Sequence, residues 1–207
     1  MSNTQLEQAA QGEDSNEKDD RLYEEFCEFI EEFKGESDRA CVILGASKLD
    51  QILGLILERF LLPCPNSQDQ IFTNNGPLGT FSAKIDMTYR LGLIDSEACR
   101  AIHMVRKIRN TFAHEVYGAS LASGSHKDRI KALVLPAKED HHFKWLRDNF
   151  FSGVPASRAN FSTMLGLLVA RLEGLADKLE PVSTAQIQHL LPQSHNKKMQ
   201  PAQKTRG

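Results

Sequence analysis

One stretch near the middle of the chain has the residue types for acid–base chemistry on a phosphodiester. In "RKIRNTFAH", running from Arg106 to His114, Arg109 is followed at once by Asn110 and, five positions on, by His114. A histidine titrating near neutrality can take the proton from a 2′-hydroxyl or hand one to a leaving oxygen. A guanidinium can hold the phosphate and stabilise the charge that builds up during transfer. Arg109 and His114 are therefore candidate catalytic residues for metal-independent cleavage of RNA, and Asn110 and Arg106 are candidate binding groups beside them. The same residues also suit a plainer role, since Arg106, Lys107 and His114 near a helix C-terminus would complement the helix macrodipole. Lys84 and Asp86 are too close in a helix to face one another, and they count as separate interaction charges, with Lys84 a further binding candidate.

Other chemistries find less to work with. The chain has no glycine-rich phosphate loop, no GxSxG elbow and no HExxH. Cys27, Cys41, Cys64 and Cys99 show no CxxC spacing, and the reading finds no histidine cluster near them at zinc-ligand intervals. Neither a disulfide framework nor a metal or cofactor is therefore expected, and a reducing cytoplasm fits best. Cys27, Cys41 and Cys99 fall on or near apolar helix faces, where core packing is the expected role. His141 and His142 adjoin Trp145, which is a weak suggestion of metal binding. The 25 basic and 27 acidic side chains nearly balance, which argues against coating nucleic acid by bulk charge.

The elements that must position these residues are helical. In "RLYEEFCEFIEEF", Leu22, Phe26, Cys27, Ile30 and Phe33 recur at helical spacing until Gly35. Ser37 or Asp38 can cap the next helix, whose stripe runs through Val42, Gly45, Ala46, Leu49, Ile52, Leu53, Ile56 and Phe60 before Pro63. That helix is expected to be central, and Gly45 and Ala46 would let a neighbour approach closely. "PCPNSQDQIFTNNGPLGT" reads as a loop. A helix from about Thr80 to Leu91 ends on Gly92, and Asp95 caps a further helix opening at Ser96. "EVYGASLASGSHKD" reads as a small-residue loop, "KALVLP" as the one stretch with some strand character, and Ser157 to Leu179 as the last long helix. "ILGLILERFLL" is broken by Glu58 and Arg59 short of membrane-spanning length, so no membrane contact is expected.

The ends differ from the middle. Residues 1–20 carry about six acids against one lysine and no aromatic residue, a composition unable to offset its ordering entropy. They read as a disordered acidic leader. Residues 181–207 hold no acid and four dispersed basic side chains, and read as a disordered basic tail. The expectation is all-α, a single bundle of about six helices over 21–180.

Within the helix that opens at Ser96, the stripe Ala98, Ile102, Val105 and Phe112 places Arg109 on the apolar face. A guanidinium there needs a carboxylate, a phosphate, carbonyls or a partner subunit. His114 would point about 140° away on an ideal helix, so the two converge only if the helix ends or a second chain completes the site. The glycine turn before this helix invites a helix-turn-helix reading. Its N-terminal groups, Ser96, Glu97 and Arg100, include an acid, however, and suit base edges poorly.

"GPLGTFSAKIDMTYRLGLID", followed by "IRNTFAH", resembles the mannitol operon repressor family of small bacterial helical proteins, with Pro77, Leu78, Gly79, Tyr89, Leu91 and Gly92 as its most specific markers. "RACVILGASKLDQILGLIL" is similar to that family's preceding helix, and "SRANFSTMLGLLVARLEGL" is compatible with its last. The resemblance implies a helical regulator of sugar-alcohol uptake genes, without an evident DNA-reading helix and hence acting through a protein partner. Separately, Arg109 to His114 matches the R-x4-H pattern of the HEPN superfamily, which includes dimeric ribonucleases and inactive binding members. That match implies Arg109 and His114 as a catalytic pair, with dimerisation bringing two copies together. The expectation is a cytoplasmic, homodimeric, repressor-like regulator of carbohydrate uptake with a protein partner, nucleic acid being a weakly supported further partner. The alternatives are a HEPN-type ribonuclease and a purely protein-binding module.

Overall fold

The computed structural model describes residues 24, 26–64, 69–115 and 117–183. The expected acidic leader and nearly all of the expected basic tail lie outside them. The fold is all-α: seven helices and no strand among the described residues. They are α1 (residues 26–35), α2 (Asp38–Phe60), α3 (Phe81–Arg90), α4 (Ser96–His114), α5 (Gly124–Val134), α6 (His141–Phe150) and α7 (Ala156–Lys178).

Local signals set the starts of the central helices. Ser37, Thr80 and Asp95 each turn a side-chain oxygen onto a first-turn N–H, of Ala40, Ala83 and Ala98 respectively. Each satisfies one of the donors that a helix start leaves open. Gly92 closes the turn after α3 with φ +74°, a conformation that a side chain would strain.

α2 is the hub, packing against α3, α4 and α7, while α5 and α6 lie on α7. Near its start, Arg158 of α7 reaches Asp38 and Cys41; near its end, Arg59 donates to the Ala176 carbonyl at 2.7 Å. The two long helices therefore run parallel. Where they cross, a Cβ at Gly45 would stand 2.1 Å from Leu165 Cδ2, so the glycine sets how closely they pack. α2 is long and apolar enough by composition to cross a membrane, which the sequence reading did not expect. Its apolar residues instead form the centre of the core, with Cys41, Val42, Leu49, Leu53, Ile56 and Leu57 fully buried.

One expectation changes. "GSHKDRIKALV" is helix α5, where a loop was expected as far as Asp128. α5 has no side-chain cap bond, and its burial of His126, Ile130, Leu133 and Val134 outweighs its poor local signals. "HHFKWL" opens α6, capped by Asp140.

Replacing Gly45 by Val should lower stability by about 1–3 kcal/mol through overpacking against the fully buried Leu165. Gly174→Ala, where nothing lies within 4 Å of the added methyl, should raise it by up to about 1 kcal/mol through helix propensity. Thermal melts of both variants check the contrast.

The Asp140 carboxyl is held below its ordinary range, chiefly by the Phe143 backbone N–H it accepts from and also by His142 N–H and Arg171. A lowered folded pKa means that its contribution is present above the unfolded carboxyl's pKa and is lost as pH falls through the folded value. Asp140→Ala should thus be less stable than the wild type at neutral pH, with the gap closing in acid. Denaturant midpoints across a pH series measure this.

Candidate functional site

α4 buries Ala101, Ile102, Val105, Ile108 and Phe112. Arg109 stands at the flank of this stripe and is exposed. On the helix wheel Arg109 lies only about 20° from the fully buried Ile102, so the reason is one of cover: it stands seven residues nearer the end of α4, at an open cleft. Its Nη1 donates to Asn110 Oδ1 at 3.2 Å.

Arg106, Arg109 and Asn110 line one wall of a cleft of about 280 Å³. Ala46, Ser47 and Asp50 of α2 form the facing wall, and Thr80, Phe81 and Ser82 at the start of α3 close the end. Lys84 Nζ lies 2.8 Å from Asp50 Oδ1, with 15% of the lysine side chain and 35% of the aspartate side chain exposed. The acid in the wall is therefore already answered by a lysine. Arg106 Nε is buried without a hydrogen-bond partner, and neither arginine makes an ion pair among the described residues. The N–H end of α3 adds positive partial charge. The cleft is suited to an anionic group, a carboxylate or a phosphate, met by planar guanidinium donors.

The sequence candidates thus divide. Arg106, Arg109 and Asn110 share the cleft, and Lys84 supports it through Asp50, whereas His114 is exposed at the end of α4 and is not part of its lining. Among the described residues, the cleft that takes Arg109 does not take His114.

The end of α4 is held by residues that the sequence reading passed over. Arg39 of α2 donates from its two terminal nitrogens to the carbonyls of Phe112 and Glu115. Arg129 Nη1 donates to Thr111 Oγ1 at 2.9 Å, and the buried His126 ring lies 4.6 Å from that of Phe112. Asp38 accepts from the Leu121 N–H at 2.9 Å and from Ser120 Oγ at 3.1 Å, tying down the following loop. The macrodipole of α4 is therefore answered chiefly by Arg39, from a distant part of the chain, rather than by the helix's own basic residues.

The core packing expected of Cys41 and Cys99 is found for both. Burial pushes the Cys41 thiol up despite the nearby Arg158. Cys99 also meets His103 on its own helix and Asp86 on α3, with one potential ligand atom from each within 4.8 Å of the others. His103 Nε2 is 2.9 Å from Asp86 Oδ1. Burial, and then the Asp86 charge, raise the Cys99 thiol above its ordinary range.

No family model matches the chain, and no curated protein matches it. Among solved structures, a chain of the X-ray structure of the MtlR–HPr complex from Escherichia coli is similar, with a TM-score of 0.52 and 16% sequence identity. The match covers 71% of this chain and 97% of that one. At that identity the likeness is one of fold: this chain has a mannitol-repressor-like helical fold.

Arg39→Ala should cost roughly 1–3 kcal/mol by leaving the α4 carbonyls without a charged donor. Arg39→Lys should recover less than half, because a single ammonium cannot span both carbonyls as a fork does. Urea midpoints at unchanged slope measure both, and a lysine variant as stable as the wild type would contradict the forked cap.

Proposed function

We propose that this chain is a repressor-like transcriptional regulator of carbohydrate uptake genes, mannitol uptake among them, that works by holding a protein partner. The observation that carries this reading is the likeness of fold to nearly the whole of a chain solved in an MtlR–HPr complex. The cleft supports it, because two guanidinium groups without acidic partners favour an acidic or phosphorylated surface on the other protein. Trp145, 44% exposed beside the apolar hollow that Phe26, Leu146 and Leu167 help to line, is the kind of side chain that anchors protein interfaces. The start of α4 supports a partner rather than a base-reading helix, since Asp95, Ser96 and Glu97 are all exposed there and two of them are acids. Cytoplasmic placement, homodimerisation and a single bundle over 21–180 between an acidic leader and a basic tail belong to the same proposal.

The second reading, a metal-independent ribonuclease, is favoured by one observation: Arg109 and His114 are both exposed, and a second copy of the chain could bring the pair together across an interface. Intrachain geometry gives it no further support.

Deleting the gene should raise transcripts of a carbohydrate uptake operon, and the double variant Arg106→Glu, Arg109→Glu should reproduce that derepression with the fold intact by circular dichroism. The same variant should weaken binding to the source organism's HPr by about tenfold or more, which is 1.4 kcal/mol. Unchanged transcripts with and without mannitol, together with no HPr binding, count against the regulator. Cleavage of single-stranded RNA in EDTA that both Arg109→Ala and His114→Ala abolish would establish the ribonuclease instead.

A further inference from the structure

α3 and α4 bring together three side chains that the cleft does not use. Cys99 and His103 are one helical turn apart on α4 and lie on the same side of it, the spacing at which two side chains can chelate one ion. Asp86 reaches them from α3, with its carboxylate 2.9 Å from His103 Nε2. One potential ligand atom from each of the three residues lies within 4.8 Å of the other two. In a tetrahedral zinc site, bonds of about 2.0–2.3 Å put neighbouring ligand atoms roughly 3.3–3.8 Å apart. Side-chain rotations are enough to close the difference, and Asp86, with 63% of its side chain exposed, is free to make them.

The second observation concerns the imidazole. Its Nε2 is engaged by Asp86, while Nδ1 is buried and has no hydrogen-bond partner. A buried polar atom left in this way is costly unless something completes it. An ion in place of the proton between Nε2 and the carboxylate would turn that hydrogen bond into two ligand bonds, with Asp86 a direct ligand.

We propose that Asp86, Cys99 and His103 bind one divalent ion of the zinc class, holding α3 against α4. A thiolate, an imidazole and a carboxylate form a mixed sulfur, nitrogen and oxygen set. Zinc and its transition-metal neighbours accept such a set, whereas magnesium and calcium require oxygen throughout. On binding, the Cys99 thiol gives its proton to solvent and its sulfur takes the ion. Water fills the fourth position, as it does in zinc sites with three protein ligands. The site is independent of the regulator reading, since none of its three residues lines the cleft.

Cobalt(II) titrated into the reduced, chelator-stripped full-length protein tests this. The expected result is a thiolate-to-cobalt charge-transfer band in the near ultraviolet that saturates at one ion per chain and is displaced by zinc. Cys99→Ser should abolish the band, and Cys64→Ser should leave it unchanged. His103→Ala and Asp86→Asn should each weaken zinc binding by about tenfold or more. Zinc should also raise the melting temperature of the wild type and not that of the His103 variant. If His103→Ala fails to fold by circular dichroism, His103→Gln carries the same comparison. No band at stoichiometric cobalt, a band that survives Cys99→Ser, or wild-type affinity in Asp86→Asn would each overturn the assignment.

Discussion

The close contact between α2 and α7 at Gly45 is the constraint on which the rest of the bundle depends. Two long helices running parallel set their macrodipoles side by side, an arrangement without electrostatic advantage. Packing must hold them together. Gly45 removes the side chain at the crossing and lets the buried Leu165 fill its place. Arginines then answer exposed carbonyl ends: Arg158 donates to the Phe33 carbonyl at the end of α1, and Arg59 to the Ala176 carbonyl at the end of α7. With that pair fixed, α2 presents its other flanks to α3 and α4. A helix buried on so many sides must be apolar nearly all round, and so α2 has the composition of a membrane span while forming the core of a bundle.

The cleft follows from helix lengths and directions. Arg39 near the start of α2 meets the end of α4, so these two helices run antiparallel. α3 packs on both, but it begins only at Phe81, opposite Asp50 and Arg106, and leaves the last turns of α4 uncovered on that side. Lys84, one turn into α3, reaches back to Asp50 and neutralises the acid that would otherwise pair with the arginines. The two guanidinium groups are thus left without a carboxylate because Lys84 takes the one acid that lines the cleft.

Much of this was legible in the sequence where the signal is local. Ser37, Thr80 and Asp95 announce helix starts through their own side chains, and Gly92 announces a stop through its backbone. The small residue at 45 could be read as a close approach because a glycine inside an apolar stripe has few other reasons to be there. α5 was hidden because its first residues, Gly124 and Ser125, are turn formers, and only burial against α7 makes the segment helical. The burial of Arg109 was misjudged because periodicity sets it beside Ile102 on the wheel and cannot report that the cover ends before it. Arg39 and Asp38 act on groups more than seventy residues away, and no periodicity reports such a distance. The pairing of Cys99 with His103 was visible as a helical interval, but its third member, Asp86, comes from the preceding helix and needed the packing of α3 on α4.

Cys99, His103, Arg106 and Asn110 follow one another at intervals of four, three and four residues, so they form a single polar stripe along α4, opposite its buried stripe. The Cys99 end of this stripe meets Asp86, and the Asn110 end opens into the cleft behind Thr80. Both ends are therefore bounded by the same short helix. α3 has only ten residues and buries just Ile85 and Thr88, which makes it one of the least anchored elements of the fold. The two ends of the stripe are thus bounded by one element of the fold, Asp86 standing at one end and Thr80 at the other.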